Sequence, residues 1–319
     1  MIAATDIIAQ NPRRKISPLA DFFRRLVKEK PLGTVGLLIV LVFFIAAVFA
    51  NLLAPFDPIQ SHLKDRLTPP NSTYIMGTDN LGRDLFSRIL YGARISLFIG
   101  LGASAVNVVV AMLLGLISGY IGGWFDLGIQ RLVDIALSIP SLVILITLVG
   151  IVGPGVPQII MIMGITGGIG WARVVRSSVI AVRENIYMEA ARSIGSDMWH
   201  MMRRHVFPNI MPVMVIIYSV SIAGNILAEA GLSFLGLGIP PPNPTWGGML
   251  SSDGRRFMQE AWWMAIFPGL CLTIVVYGVN MWGDAVRDLL DPRLRGGVGR
   301  YGSAVKREKK RVAGAKPGS

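Results

Sequence analysis

Six long apolar stretches constrain this chain more than any other feature. They cover about residues 33–53, 96–121, 132–151, 157–174, 209–230 and 262–283, and between them hold only Asp134, Arg173 and Glu229 as charged residues. A helix needs about 20 predominantly apolar residues to cross the hydrocarbon of a bilayer, at about 1.5 Å per residue. With 52% hydrophobic and 16% charged side chains in 319 residues, the chain has too little polar surface for a water-soluble globule. The expectation is an all-α membrane protein of six transmembrane helices. Between the third and fourth stretches lies only VGPGVPQ (152–158), whose Gly and Pro suit a tight turn at a membrane face.

Charge sets the orientation. Of the 31 Lys and Arg residues, seven precede the first stretch, six lie in 173–204, ten follow from Arg287 onward and Arg131 opens the third stretch. The opposite loops hold five (54–95) and two (231–261). Lys and Arg accumulate on the cytoplasmic side, so both termini are expected there. This distribution also explains the net charge of +12 without a nucleic-acid partner, since the basic residues do not interleave with aromatics. The basic ends rest more naturally on membrane lipid. From Pro31 to Phe56 no charge occurs, too long for a signal-peptide core, so an uncleaved first span is expected.

Some chemistries find no support. The single cysteine, Cys271, lies in an apolar run, which excludes an intrachain disulfide. His62, His200 and His205 are not spaced as metal ligands, and no metal site or catalytic constellation is expected. None of the eight lysines follows a glycine, so the phosphate-cradling G-x-x-x-x-G-K-[ST] loop is missing. Small residues recur at four-residue spacing, as Gly115, Gly119 and Gly123, and again as Gly164 and Gly168. Such rows permit close helix approach in membranes. Arg131 and Asp134, at i,i+3 spacing, are expected to pair with each other or with neighbours. Glu229 sits near the outer end of the fifth stretch, where a charge is costly unless partnered. It is either a pathway or gate residue or the acceptor of a structural hydrogen bond from the glycine-rich loop that follows.

The segment YMEAARSIGSDMWHMMRRHVFPN (187–209) interrupts the apolar pattern. Residues 183–194 read as a helix, Gly195 as a left-handed corner, and Ser196 or Asp197 as the cap of a second short helix. Pro208 suits the first turn of the fifth span. Met198, Trp199, Met201 and Met202 are costly to leave in water, at about 1.5–3 kcal/mol each. They cover the protein's own helices or the membrane interface, or dock into a partner's groove, and the small Ala190 and Ala191 beside Glu189 favour a close partner surface.

This segment resembles the cytoplasmic EAA loop of ATP-driven ABC importer permeases, with Glu189, Ala190, Ala191, Gly195 and Pro208 in the expected places and Phe207 where Leu is usual. GTDNLGRDLFSRILYGARISL (77–97), AEAGLSFLGLGIPPPNPTWGGML (228–250) and DPRLR (291–295) are similar to the dipeptide, oligopeptide and nickel branch of that family. The resemblance implies a type I importer permease fold, with helices 2–6 as core and an added N-terminal helix. It divides the chain into a cytoplasmic N-terminal segment (1–32), a first transmembrane helix (33–53), an extracytoplasmic segment (54–93), a permease domain (94–288) with its coupling loop (175–208), and a basic cytoplasmic tail (289–319). The implied coupling residues are Glu189, Ala190, Ala191, Gly195, Asp197 and Pro208. The implied partners are a second homologous permease, two ABC ATPase subunits and an extracytoplasmic solute-binding protein. ATP and Mg belong to the ATPase subunits, so no cofactor is expected on this chain and it is not itself an enzyme. The implied place is the bacterial cytoplasmic (inner) membrane. The cargo stays open among dipeptide, longer peptide, glutathione and nickel chelate. An ion-coupled secondary transporter and a motor-independent channel are the rival readings.

Overall fold

The computed structural model describes residues 17–290. The basic tail from residue 291 onward, with its DPRLR motif, and the first sixteen residues lie outside that range. In chain order the helices are α1 (Pro18–Glu29), α2 (Pro31–Val48), the short α3 (Ala50–Leu53), α4 (Leu85–Ile121), α5 (Gly123–Ser138), α6 (Ser141–Val152), α7 (Val156–Arg183), α8 (Ile186–Ser193) and α9 (Met198–Met201). They continue as α10 (Phe207–Phe234), α11 (Trp246–Leu250), α12 (Ser252–Arg256) and α13 (Trp263–Leu290). No strand occurs among the described residues, only an isolated bridge between Thr78 and Asp84. Five helical runs are long and apolar enough to cross a membrane, namely α2, α4, α7, residues 198–234 and α13.

The third expected span departs from the expectation. Residues 132–151 straddle a break between α5 and α6, which meet at 90°. Pro140 has no N–H to donate and disfavours helical geometry in the residue before it. Ile139 accordingly adopts φ −97° and ψ 131°. The two pieces together have the length and composition of a sixth span. Helices α4, α7 and α13 outrun their apolar windows, because a charge ends a hydropathy window without ending a helix, whereas α2 ends at Val48 and the rest of the first window falls in α3.

The most extensive pairing is α4 with α7, and both glycine rows lie in it. A Cβ at Gly115 would stand 2.5 Å from Val175 Cβ and 2.8 Å from the Ala172 carbonyl oxygen. Reciprocally, one at Gly168 would meet Val110 Cβ at 2.6 Å and the Asn107 carbonyl oxygen at 2.8 Å. Each helix thus lends its groove to the other's valines, a packing that works where no hydrophobic effect draws helices together. Gly123 leaves the row. Helix α4 ends at Ile121, and Gly123 opens α5 with φ +58° and open space around its Cβ position.

Around this pair α10 packs on α4 and α13, and α2 lies along α13. Lys30 and Asp288 pair where α1, α2 and the end of α13 meet. Two ends of the bundle result. One gathers the last turn of α4, the last turn of α7 and the connector to α10. The other gathers the 54–84 segment, the start of α4, the α6–α7 turn and the loop after α10.

Candidate functional site

The connector from α7 to α10 is built by local rules. Helix α7 stops at Arg183, and Asn185 restarts the chain in an extended conformation (φ −76°, ψ 144°) before α8. Helix α8 closes with two crossed hydrogen bonds, Ser196 N–H to the Ala191 carbonyl at 3.1 Å and Gly195 N–H to the Arg192 carbonyl at 2.9 Å. That pattern requires a left-handed residue at the corner, and Gly195 supplies φ +81°. Nothing lies within 4 Å of the position a Cβ would take there, so only backbone handedness demands glycine. Asp197 then caps α9 by accepting from the Trp199 N–H at 3.0 Å.

Helix α9 does not stop before the membrane run. It passes through a π-helical segment, Met202–Val206, directly into α10, with the Phe207 N–H reaching back to the Met202 carbonyl. The cause is Pro208 in the first turn of α10. Its ring cannot fit against a regular helical carbonyl, and the wider π turn opens the ladder without breaking the rod. The expected separate short helix and the fifth span are therefore one continuous 37-residue run.

The side chains divide into two faces. Met188, Met201, Met202 and Val206 are buried in one apolar cluster with Tyr120, Val179 and Ile210. The opposite face is uncovered: Ile186 is 84% exposed, Ile194 83%, Trp199 66% and Met198 51%. Of the four apolar residues expected to need cover, two thus pack inside the chain and two do not. Glu189 and Ala190 face outward with the uncovered set, whereas Ala191 is 8% exposed and turns inward. Ile186 and Ile194 were not marked by sequence pattern alone. Their signal is that Met188 and Ala191, three apart, take the inner stripe of α8 and leave residues at other phases outside.

Beside the connector, α5 is tied down by charge. Arg176 of α7 donates from Nε to Asp126 Oδ1 at 2.6 Å and from a second nitrogen to Oδ2. Asp134 receives both Arg131, at 3.4 Å, and Arg173. Among the described residues of α5 only Val133 is buried, so these pairs, more than apolar packing, hold α5 against α7.

At the opposite end Glu229 is fully buried. Its carboxylate accepts from Ser96 Oγ of α4 at 3.2 Å and from Ser233 Oγ at 2.7 Å, and Thr245 Oγ1 donates onward to Ser233 at 3.3 Å. Next to it Trp246 is buried, donating from its indole to the Ile89 carbonyl at 3.2 Å. Glu229 thereby joins α4, α10 and the loop that ends at Thr245, the cap of α11. Among the described residues no group of His, Cys, Asp and Glu is arranged to hold a metal ion.

A family model described as the binding-protein-dependent transport system inner membrane component matches residues 111–296. The chain belongs to that permease family. A second model, the N-terminal TM domain of oligopeptide transport permease C, matches residues 17–70. This permease is 39% identical over 280 residues to the dipeptide transport system permease protein DppC of Alkalihalophilus pseudofirmus, covering 88% of this chain and 91% of the relative. It is 37% identical to the glutathione transport system permease protein GsiD of Pectobacterium atrosepticum, over 92% and 97% of the two chains. Among solved structures, an inward-facing form of the MetNI methionine ABC transporter superposes with a TM-score of 0.52 at 16% identity, covering 64% of the permease and 96% of that chain. That likeness shows a shared fold, the type I importer permease.

Proposed function

We propose that this permease is the peptide-translocating subunit of an ATP-driven importer in the bacterial cytoplasmic membrane, with both termini in the cytoplasm. It pairs with a second, homologous permease, receives short peptides from an extracytoplasmic binding protein, and is driven by two ATPase subunits that carry ATP and Mg. The reading rests on one observation above the others: a rigid helix, glycine corner and helix whose inner face is fixed in the core while Ile186, Ile194, Met198 and Trp199 stand uncovered. Such a patch at one end of a membrane bundle marks a protein interface.

The continuity of α9 with α10 supplies the lever. A force applied at Trp199 passes through a single helical rod to Glu229 and the opposite end. Glu189 and Ala190 form the approach surface, Gly195 and Asp197 hold the bend, and Pro208 sets the π turn between lever and span. Glu229 is assigned to fixing the outer loop rather than to gating. Charge reversal at Glu189 is expected to uncouple uptake from hydrolysis when both are measured in proteoliposomes holding the full complex. Uptake of a dipeptide that survives ATP depletion would contradict the motor-driven reading and favour an ion-coupled carrier or a channel.

A further inference from the structure

Between the two ends of the bundle a buried polar cluster joins α4, α7 and α10. Ser104 and Asn107 of α4 and Asn225 of α10 are all buried, in apolar stretches where hydrocarbon offers no water to bond them. Their partners orient the two amides. Asn225 Nδ2 donates to Ser104 Oγ at 2.9 Å and to Asn107 Oδ1 at 3.1 Å. The Asn107 nitrogen in turn donates to the α7 carbonyls of Gly164 at 2.7 Å and Met163 at 3.1 Å, and Ser104 Oγ donates to the Gly100 carbonyl at 2.7 Å. Glycines allow the approach: a Cβ at Gly100 would stand 2.5 Å from Ile226 Cγ1, and one at Gly167 would stand 2.7 Å from the Asn107 amide.

The part of α10 nearer the connector is held differently. From Phe207 to Gly224, among the described residues, no hydrogen bond or ion pair runs from α10 to another helix. Contact there is apolar and rich in methionine, with Met188, Met201, Met202 and Met214 in one cluster. Methionine tolerates displacement, because its rotatable bonds and soft sulfur refit a changed gap. An amide held at both ends by directional hydrogen bonds does not, so Asn107 fits one relative placement of α7 and α10. One turn beyond Asn225, Ser96 and Glu229 tie α4 to α10 again.

We propose that Ser104, Asn107 and Asn225 are positioning residues for transport: they bolt α10 to α4 and α7, so that a push on the connector tilts the three helices as one body instead of sliding α10 past the other two. Hydrogen bonds between membrane helices are individually modest, so the cluster contributes register more than cohesion. This role rests on the importer reading, which supplies the push.

The test uses the full complex, the permease pair with both ATPases, in nanodiscs and proteoliposomes. Spin labels at exposed sites of the three helices, Leu113, Ile165 and Val215, in a Cys271→Ser background, give the α4–α10 and α4–α7 distances by pulsed EPR. They are measured without nucleotide and with ATP trapped by vanadate, and both distances are expected to be the same in the two states. With Asn225→Leu, similar in shape but without the donors, the α4–α10 distance should broaden and become nucleotide-dependent while the α4–α7 distance holds. Uptake of Ala-Ala per ATP hydrolysed should fall at least about fivefold; a role in stability alone would lower uptake and hydrolysis together and keep that ratio. An α4–α10 distance that changes with nucleotide in the unsubstituted permease overturns the proposal, as does an Asn225→Leu permease in which either the distance or the ratio is unchanged. ATPase co-purification is scored separately: its failure strikes the importer reading, while the width of the nucleotide-free α4–α10 distance still shows whether Asn225 bolts the helices.

Discussion

Replacing Trp199 by alanine separates docking energy from folding energy. Trp199 is 66% exposed, while Met201, two residues on, is 2% exposed in the connector's core cluster. A tryptophan carries about 200 Å² of side-chain surface. Two thirds of that, about 130 Å², remains for a partner to cover, a ceiling of about 3 kcal/mol at about 25 cal/mol per Å². Allowing for what alanine retains and for incomplete cover, about 2 kcal/mol is expected to be lost, or about 30-fold in affinity. Trp199→Ala should therefore weaken ATPase binding to the permease pair about 30-fold, read by titration on immobilised nanodiscs, and leave the thermal midpoint of the permease unchanged. Met201→Ala should behave oppositely in stability, costing about 2–5 kcal/mol through a core cavity. If Trp199→Ala lowered the midpoint as far as Met201→Ala and left ATPase affinity untouched, the residue would belong to internal packing or the lipid interface, and the docking argument would fail.

Five more variants test other parts of the account. Gly195→Val should weaken ATPase co-purification, because a φ of +81° costs a β-branched residue about 1–2 kcal/mol or more; Gly195→Asn, which tolerates that region, should largely restore it. Gly115→Ala, forced against Val175 and the Ala172 carbonyl, should destabilise the bundle by about 1–3 kcal/mol in a detergent unfolding assay. Gly224→Ala on α10, with open space around it, should be neutral or stabilising by up to about 1 kcal/mol, and equal effects from the two would refute the packing described for α4 and α7. Asp126→Asn should release α5 from Arg176, seen as faster amide exchange across residues 123–138 with α7 unaffected; unaltered exchange would mean that lipid or a neighbouring subunit holds α5 instead.

The spans were legible because burying charge in hydrocarbon is expensive, and that cost writes itself into composition. The corner at Gly195 and the cap at Asp197 were legible for a similar reason, since each answers a local backbone need. The break at Pro140 was visible as a residue yet hidden in a charge-based reading, because no charge accompanies it. Other features depend on the partner face of the fold. Ala190 and Ala191 are alike in sequence, and only the seat of Met188 against Tyr120 and Val179 decides which of them points outward. Asp126 and Arg176 lie fifty residues apart, so nothing local announces their pairing. The cavity between the GTDNLGRD segment and the PPPNPT loop likewise forms only where α4 and α10 pack together, a contact that includes Ser96 and Glu229.

The claim on which the rest depends is that the connector's uncovered face is held by a separate motor. A photo-crosslinking residue placed at Ile194, 83% exposed, measures this directly in the purified complex with ADP, with ATP and without nucleotide. The account predicts a crosslink to an ATPase subunit whose yield changes with the nucleotide. No crosslink in any state, or labelling of residue 194 by a membrane-impermeant reagent added outside intact cells, would contradict it.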